Sequence, residues 1–298
     1  MGTNNEIREF LTSRRAKITP AQAGIRTYGG KRRVPGLRRE EVALLAGVSV
    51  DYYTRLERGN ASGVSDSVLT ALARALQLDE AERSHLFDLA RAARTPSRPR
   101  RRTSHQQIRP GIQHVLDAFT QAPATVRNGR LDILAANRLG YALYSVMNLG
   151  PGRPANSARF LFLDPRAPDF YVDWEQATHD AVAVLRSHAG RDPYDRELID
   201  LVGELSTQSE VFRTRWAAHN VRFHDHGTKH FRHPVVGELS LNFERMELSP
   251  DTGLTMFAYT ADPGSKSQES LNLLASWAAT LDAEAEAKAT EGRASGTP

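Results

Sequence analysis

The sequence predicts two unlike domains, an all-α N-terminal domain of helix-turn-helix layout and an α+β C-terminal domain. Three observations predict this. Residues 38–59, RREEVALLAGVSVDYYTRLERG, hold two short amphipathic stretches around Gly47-Val48-Ser49. Past residue 108 helical periods mix with alternating segments. Leu239, Leu241 and Phe243 interleave with Ser240, Asn242 and Glu244, as in a strand with one buried face. The charge is also uneven. Through Arg109 there are 21 Lys and Arg against 11 Asp and Glu; the remainder has 18 against 24. A basic part joined to an acidic part suits a polyanion binder fused to something else.

The first domain is expected over residues 1–93. Glu6 to Arg15 reads as a helix with Ile7, Phe10 and Leu11 inward. A loop carrying Lys31, Arg32 and Arg33 leads to a helix from about Arg39 to Ala46. Gly47 suits the left-handed conformation that ends a helix. Ser49 is a plausible N-cap for a second helix, Val50 to about Arg58, and Asp51 in its first turn suits the helix dipole. Val42, Ala43, Leu45, Ala46, Val48, Tyr53 and Leu56 are expected between the helices. Val50, Asp51, Tyr52 and Arg55 are then left on the outer face. Ser65 to Leu78 and Asp79 to Ala93 are two further amphipathic helices.

Residues 94–107, rich in Pro, Arg and Ser, read as a basic linker. The second domain is expected over 108–282. It opens with a helix from Ile108 to Ala122, then a hairpin turning at Asn128-Gly129 through a type I′ turn. Helices follow at Leu139 to Met147, Trp174 to Ala189 and Asp192 to Ser206, and Ser209 caps another through Trp216. Three strands come next, about Lys229 to His233, Glu238 to Leu248 and Leu254 to Thr260. A helix from Ser270 to Leu281 closes the domain. The tail, 283–298, is expected to be disordered.

The 298 residues suffice for two domains, and there is no cysteine. That removes disulfides, thiolate zinc sites and a cysteine nucleophile, and fits a reducing cytoplasm. No apolar run approaches a membrane span. His219, His224, His226, His230 and His233 cluster, yet their spacing matches no zinc pattern, so no metal is expected. There is no GxSxG, HExxH, Walker A or GxGxxG motif, and neither catalysis nor a cofactor is expected.

The segment LRREEVALLAGVSVDYYTRLERG resembles the lambda-repressor-like, XRE-type helix-turn-helix. The stretches PATVRNGRLDILAANRLG, WAAHNVRFHDHGTKHFRHPVVGELSLNFERMEL and MFAYTADPGS with LLASWA resemble the ligand-binding domain of MmyB-like transcription regulators. Ala136 stands where that family carries the tryptophan of its LAWN motif. The resemblance implies a PAS-like sensor fused to a DNA reader, with a fatty-acid-like or other apolar ligand. The expected DNA contacts are Lys31, Arg32, Arg33 and Arg58 on phosphates, and Arg39 on a phosphate or base edge. Val50, Asp51, Tyr52 and Arg55 are expected on bases, with Ser49 opening that face. The expected ligand contacts are Met147, Phe162, Trp174, Trp216, Phe243, Phe257 and Tyr259, with Asn137, Tyr144, Arg215 and His219 as candidate polar anchors. A homodimer would set two reading helices in adjacent major grooves of double-stranded DNA. The alternative is a DNA-binding regulator whose C-terminal domain is a protein-interaction or dimerisation module without a ligand.

Overall fold

The structure is a computed structural model that describes residues 3–25, 34–94, 108–147, 154–219, 225–251 and 253–294. In chain order its helices begin with α1 (Thr3–Lys17), α2 (Arg39–Ala46), α3 (Val50–Glu57), α4 (Asp66–Ala75), α5 (Glu80–Arg94) and α6 (Pro110–Ala118). Strands β1 (Ala124–Asn128) and β2 (Ile133–Ala136) follow. Then come α7 (Arg138–Leu143), α8 (Ser157–Leu163), α9 (Ala167–Phe170), α10 (Trp174–Arg191), α11 (Arg196–Gln208) and α12 (Glu210–Ala217). Strands β3 (His226–His233), β4 (Gly237–Glu247) and β5 (Leu254–Thr260) precede α13 (Lys266–Ala294). The chain forms two compact units. One comprises residues 1–102 and 182–223, the other 103–181 and 224–298.

The first unit is helical. Ile7, Phe10 and Leu11 of α1 join Val42, Ala43, Tyr53, Leu56, Leu69, Leu72, Leu86 and Leu89 in one core. Gly47 ends α2 at φ 65°, in the left-handed region. Ser49 accepts from Tyr52 N at 3.1 Å and Ser65 from Val68 N at 3.3 Å, each N-cap contributing about 1 kcal/mol. Leu45 departs from expectation. It is 39% exposed, because positions 42, 43 and 46 already fill the inward stripe of the short α2. Residues 196–217 add α11, with Leu198, Leu201 and Leu205 buried, and α12, with Phe212 and Trp216 buried.

The second unit is built on one antiparallel sheet in the order β2-β1-β5-β4-β3. On one side, Val126, Ala135, Leu254 and Met256 pack against Ile112 and Leu116 of α6. Register puts Arg127, Phe257, Tyr259, Phe243, Lys229 and Phe231 on the other side. Thr125 pairs Phe257, Arg127 pairs Thr255, Phe243 pairs Tyr259, and Lys229 pairs Leu241.

Two expectations need correction. The β1–β2 turn is not type I′. Among the described residues there the positive φ falls on Leu131, at 65°, not on Asn128 or Gly129. Leu131 N bonds Asn128 O at 3.0 Å, and the Asn128 side chain accepts from the backbone of Arg130 and Asp132, both at 3.0 Å. The Asn128 side chain thus closes a longer turn than the dipeptide rule assumes. The stretch from Ala283, expected to be disordered, continues α13 to Ala294. Its Ala, Glu and Lys are strong helix formers. Sequence reading also missed the short α8 and α9.

Candidate functional site

The outer face of α3 holds the side chains expected to read bases. Val50 is 45% exposed, Asp51 and Arg55 are exposed, and Tyr52 is half-buried. The Arg55 guanidinium lies over the Tyr52 ring, 5.4 Å from its centroid. Ser49 is engaged as the N-cap. Arg58 is exposed at the C-terminal end. Arg39, half-exposed, is bonded to Glu57, which holds its guanidinium pKa above the ordinary value. The fully buried Glu57 also accepts from Arg15 Nε at 2.5 Å, and Arg15 bonds Leu37 O at 2.9 Å. Lys31, Arg32 and Arg33 lie outside the described residues.

In the second unit the sheet face gathers two cations among aromatic rings. Arg127, 5% exposed, has its guanidinium carbon 4.9 Å from the Tyr144 ring and 5.0 Å from the Phe257 ring. Its nitrogens reach Thr125 Oγ1 at 3.3 Å and Tyr259 OH at 3.4 Å, and the Tyr259 and Tyr144 hydroxyls lie 2.7 Å apart. Lys229 Nζ is 4.8 Å from the Phe243 ring. Phe170 and Tyr171, at and just after the end of α9, pack on Phe231, held there as Val172 N bonds His230 O at 3.1 Å. Burial lowers the Lys229 pKa. Burial also opposes charge on Arg127, but the neighbouring Tyr144 and Tyr259 hydroxyls more than offset it, and its pKa stands above the ordinary value. Burial pushes the Tyr144 hydroxyl up, so it stays neutral. Among the described contacts no carboxylate hydrogen-bonds either cation, and the charge of Asp180 reaches Lys229 and offsets part of the effect of burial.

The expected ligand residues divide. Tyr144, Phe243, Phe257 and Tyr259 meet around these cations. Met147 is buried, Phe162 is half-buried, and Trp174 donates to Leu161 O at 2.9 Å. Asn137 is engaged structurally. Its side chain accepts from Gly140 N at 2.7 Å and Ala124 N at 2.9 Å, and donates to the carbonyls of Phe119 and Ala122. Arg215, Trp216 and His219 belong to the other unit. Sequence reading missed Arg127, Lys229, Tyr171 and Phe231. The available signal was an arginine inside a strand whose other residues are short or apolar, and a lysine alternating with Phe231.

Of the histidine cluster, His224 lies outside the described residues. His226 and His230 are exposed, whereas His233 is buried with Nε2 3.1 Å from Ala142 O. Among the described residues no three His, Cys, Asp or Glu are placed to hold a metal ion.

Residues 9–86 match a helix-turn-helix domain, and residues 108–274 match the MmyB-like transcription regulator ligand binding domain. No curated protein matches the chain. A helix-turn-helix joined to such a domain defines a DNA-binding transcription regulator, and both matched regions are those of a regulator rather than of an enzyme. The second match covers more than half of the chain, which belongs to the MmyB-like family. Among the described residues no helix is long and apolar enough to cross a membrane.

Proposed function

We propose that this regulator reads double-stranded DNA as a homodimer through the outer face of α3, and that its C-terminal domain takes an apolar molecule with an anionic head, such as a fatty acid. One observation carries the ligand class. Arg127 and Lys229 share one sheet face, ringed by Tyr144, Phe243, Phe257 and Tyr259, with no carboxylate bonded to them among the described contacts. Two cations in apolar surroundings favour an anion, and the rings favour an acyl chain. Arg55 can pair with guanine, Asp51 can accept from a cytosine amino group and Val50 can pack on a thymine methyl. Arg39 and Arg58, with Lys31, Arg32 and Arg33, neutralise phosphates. The ligand acts through its different affinities for the DNA-competent and incompetent states.

The test is titration of the full chain with palmitate and with hexadecanol, read by native mass spectrometry. Palmitate is expected to bind at least tenfold more tightly, and Arg127→Met to remove that preference. Equal binding of acid and alcohol would overturn the anionic-head reading.

A second reading, a protein-interaction domain without a ligand, is favoured by a groove of about 400 Å³ lined by Tyr141, Trp277 and Leu281. Neither palmitate nor any co-purifying small molecule would be found in that case.

A further inference from the structure

Arg186 is fully buried in the first unit, although its position lies within the ligand-binding-domain match. Its Nη1 donates to Glu6 Oε2 of α1 at 2.8 Å and lies 2.8 Å from His219 Nδ1. Its Nη2 donates to Trp216 O, and its guanidinium carbon stands 4.0 Å from the Trp216 ring centroid. An arginine can only donate, so His219 accepts at Nδ1 and carries its proton on Nε2. That Nε2 is 2.9 Å from Glu9 Oε2, also on α1. The His219 carbonyl accepts from Arg14 of α1, which pairs with Glu82 of α5. His219 sits at φ 51°, a conformation that residues other than glycine seldom adopt, so its neighbours hold it there.

A close approach supports the same contact. A Cβ at Gly190 would fall 2.7 Å from the His85 ring of α5. His85 is buried edge-on to Phe10 of α1, 5.1 Å between centroids. Only glycine lets α10 lie that close.

The contacts continue to the reading helix. Arg15, on α1, bonds Glu57 at the end of α3, and Glu57 in turn binds Arg39 of α2. We propose that residues 182–219 are a built-in layer of the DNA-reading unit, and that Arg186 and His219 are positioning residues that set α3 through α1. Chain assigned by family to the ligand-binding domain thereby fixes the reader. Such a chain of packed and bonded groups couples distant positions when both bias the same element. The inference is independent of the ligand and rests on the proposed reading only in taking α3 as the DNA helix.

The test uses the full chain with Arg186→Met, which keeps the length and loses the charge, and Arg186→Lys. Amide exchange and affinity for the duplex that the unmodified protein selects from a random pool are measured. Arg186→Met is expected to speed exchange in residues 3–17 and 50–57 at least tenfold, leaving 226–260 unchanged. It should also lower discrimination between selected and random DNA at least tenfold, with Arg186→Lys restoring part of both. Unchanged exchange in α1, or a loosened α1 with α3 and discrimination unaltered, would overturn the proposal. If Arg186→Met does not fold, Glu6→Gln is read by the same exchange experiment, with at least a threefold increase in α1 expected and wild-type rates overturning it. A protein that selects no duplex would refute α3 as the DNA helix, while the exchange result would still decide the role of Arg186.

Discussion

Glu57 shows what a buried charge can do. Out of water and bonded to both Arg15 and Arg39, its carboxylate ties three helices. Removing one partner of such a cluster strands the others. Glu57→Ala should therefore destabilise by about 3 kcal/mol, the low end for a buried pair because Arg39 is half-exposed; urea unfolding checks it. Arg55→Ala acts differently. It should leave stability nearly unchanged, weaken the selected duplex by roughly 1–3 kcal/mol and relax one base position. An equal loss on selected and random duplexes would reduce Arg55 to a backbone contact. His85 and His219 set an acid limit. Burial, then the charges of Arg186 and Arg14, lowers each to about 3 from 6.5. Between those values the unfolded chain binds protons that the folded chain refuses. The stability is thus fully present above pH 6.5 and is lost progressively as pH falls toward 3. Assigned His85 and His219 NMR resonances that titrate near 6.5 in the folded protein would contradict this.

At the scale of elements, α2 and α3 were legible because each boundary had a local cause, Gly47 for the end and Ser49 for the start. Strand β4 was legible from alternation. Register was not. The meeting of Arg127, Phe257 and Lys229 depends on pairings between strands up to about 130 residues apart, as in the Arg127–Tyr259 contact 132 residues apart. Leu131 was illegible too, since its positive φ comes from the Asn128 side chain rather than from a glycine. Gly140 and Gly47 illustrate two kinds of glycine. A Cβ at Gly140 would lie 2.3 Å from Ala124 O, where α7 meets β1. Gly140→Ala should destabilise the second unit by about 1–3 kcal/mol, as overpacking does. Gly47 has open space but φ 65°, so Gly47→Ala should lose only about 1 kcal/mol. Thermal unfolding of both variants tests the contrast.

At the scale of the whole molecule, the compact units cut across the ligand-binding-domain match. Residues 182–223 return to the unit that holds the reader, and the long-range ion pair from Glu6 to Arg186 could not be seen in any local pattern. The dimer expectation predicts half-sites about one helical turn, roughly 34 Å, apart in the selected duplex. Linkage gives a stricter test. If palmitate acts on the reader it must change the affinity for that duplex, and the duplex then changes the affinity for palmitate by the same factor; a factor of one in both titrations would mean that the two sites are uncoupled. The return of the chain also bears on biosynthesis. Glu6 leaves the ribosome 180 residues ahead of Arg186. At synthesis rates of about 5–20 residues per second that interval is on the order of 10 s. The helix-turn-helix is thus translated first and sealed late, and a nascent chain interrupted before residue 186 carries the full reading motif without the arginine that pins its first helix.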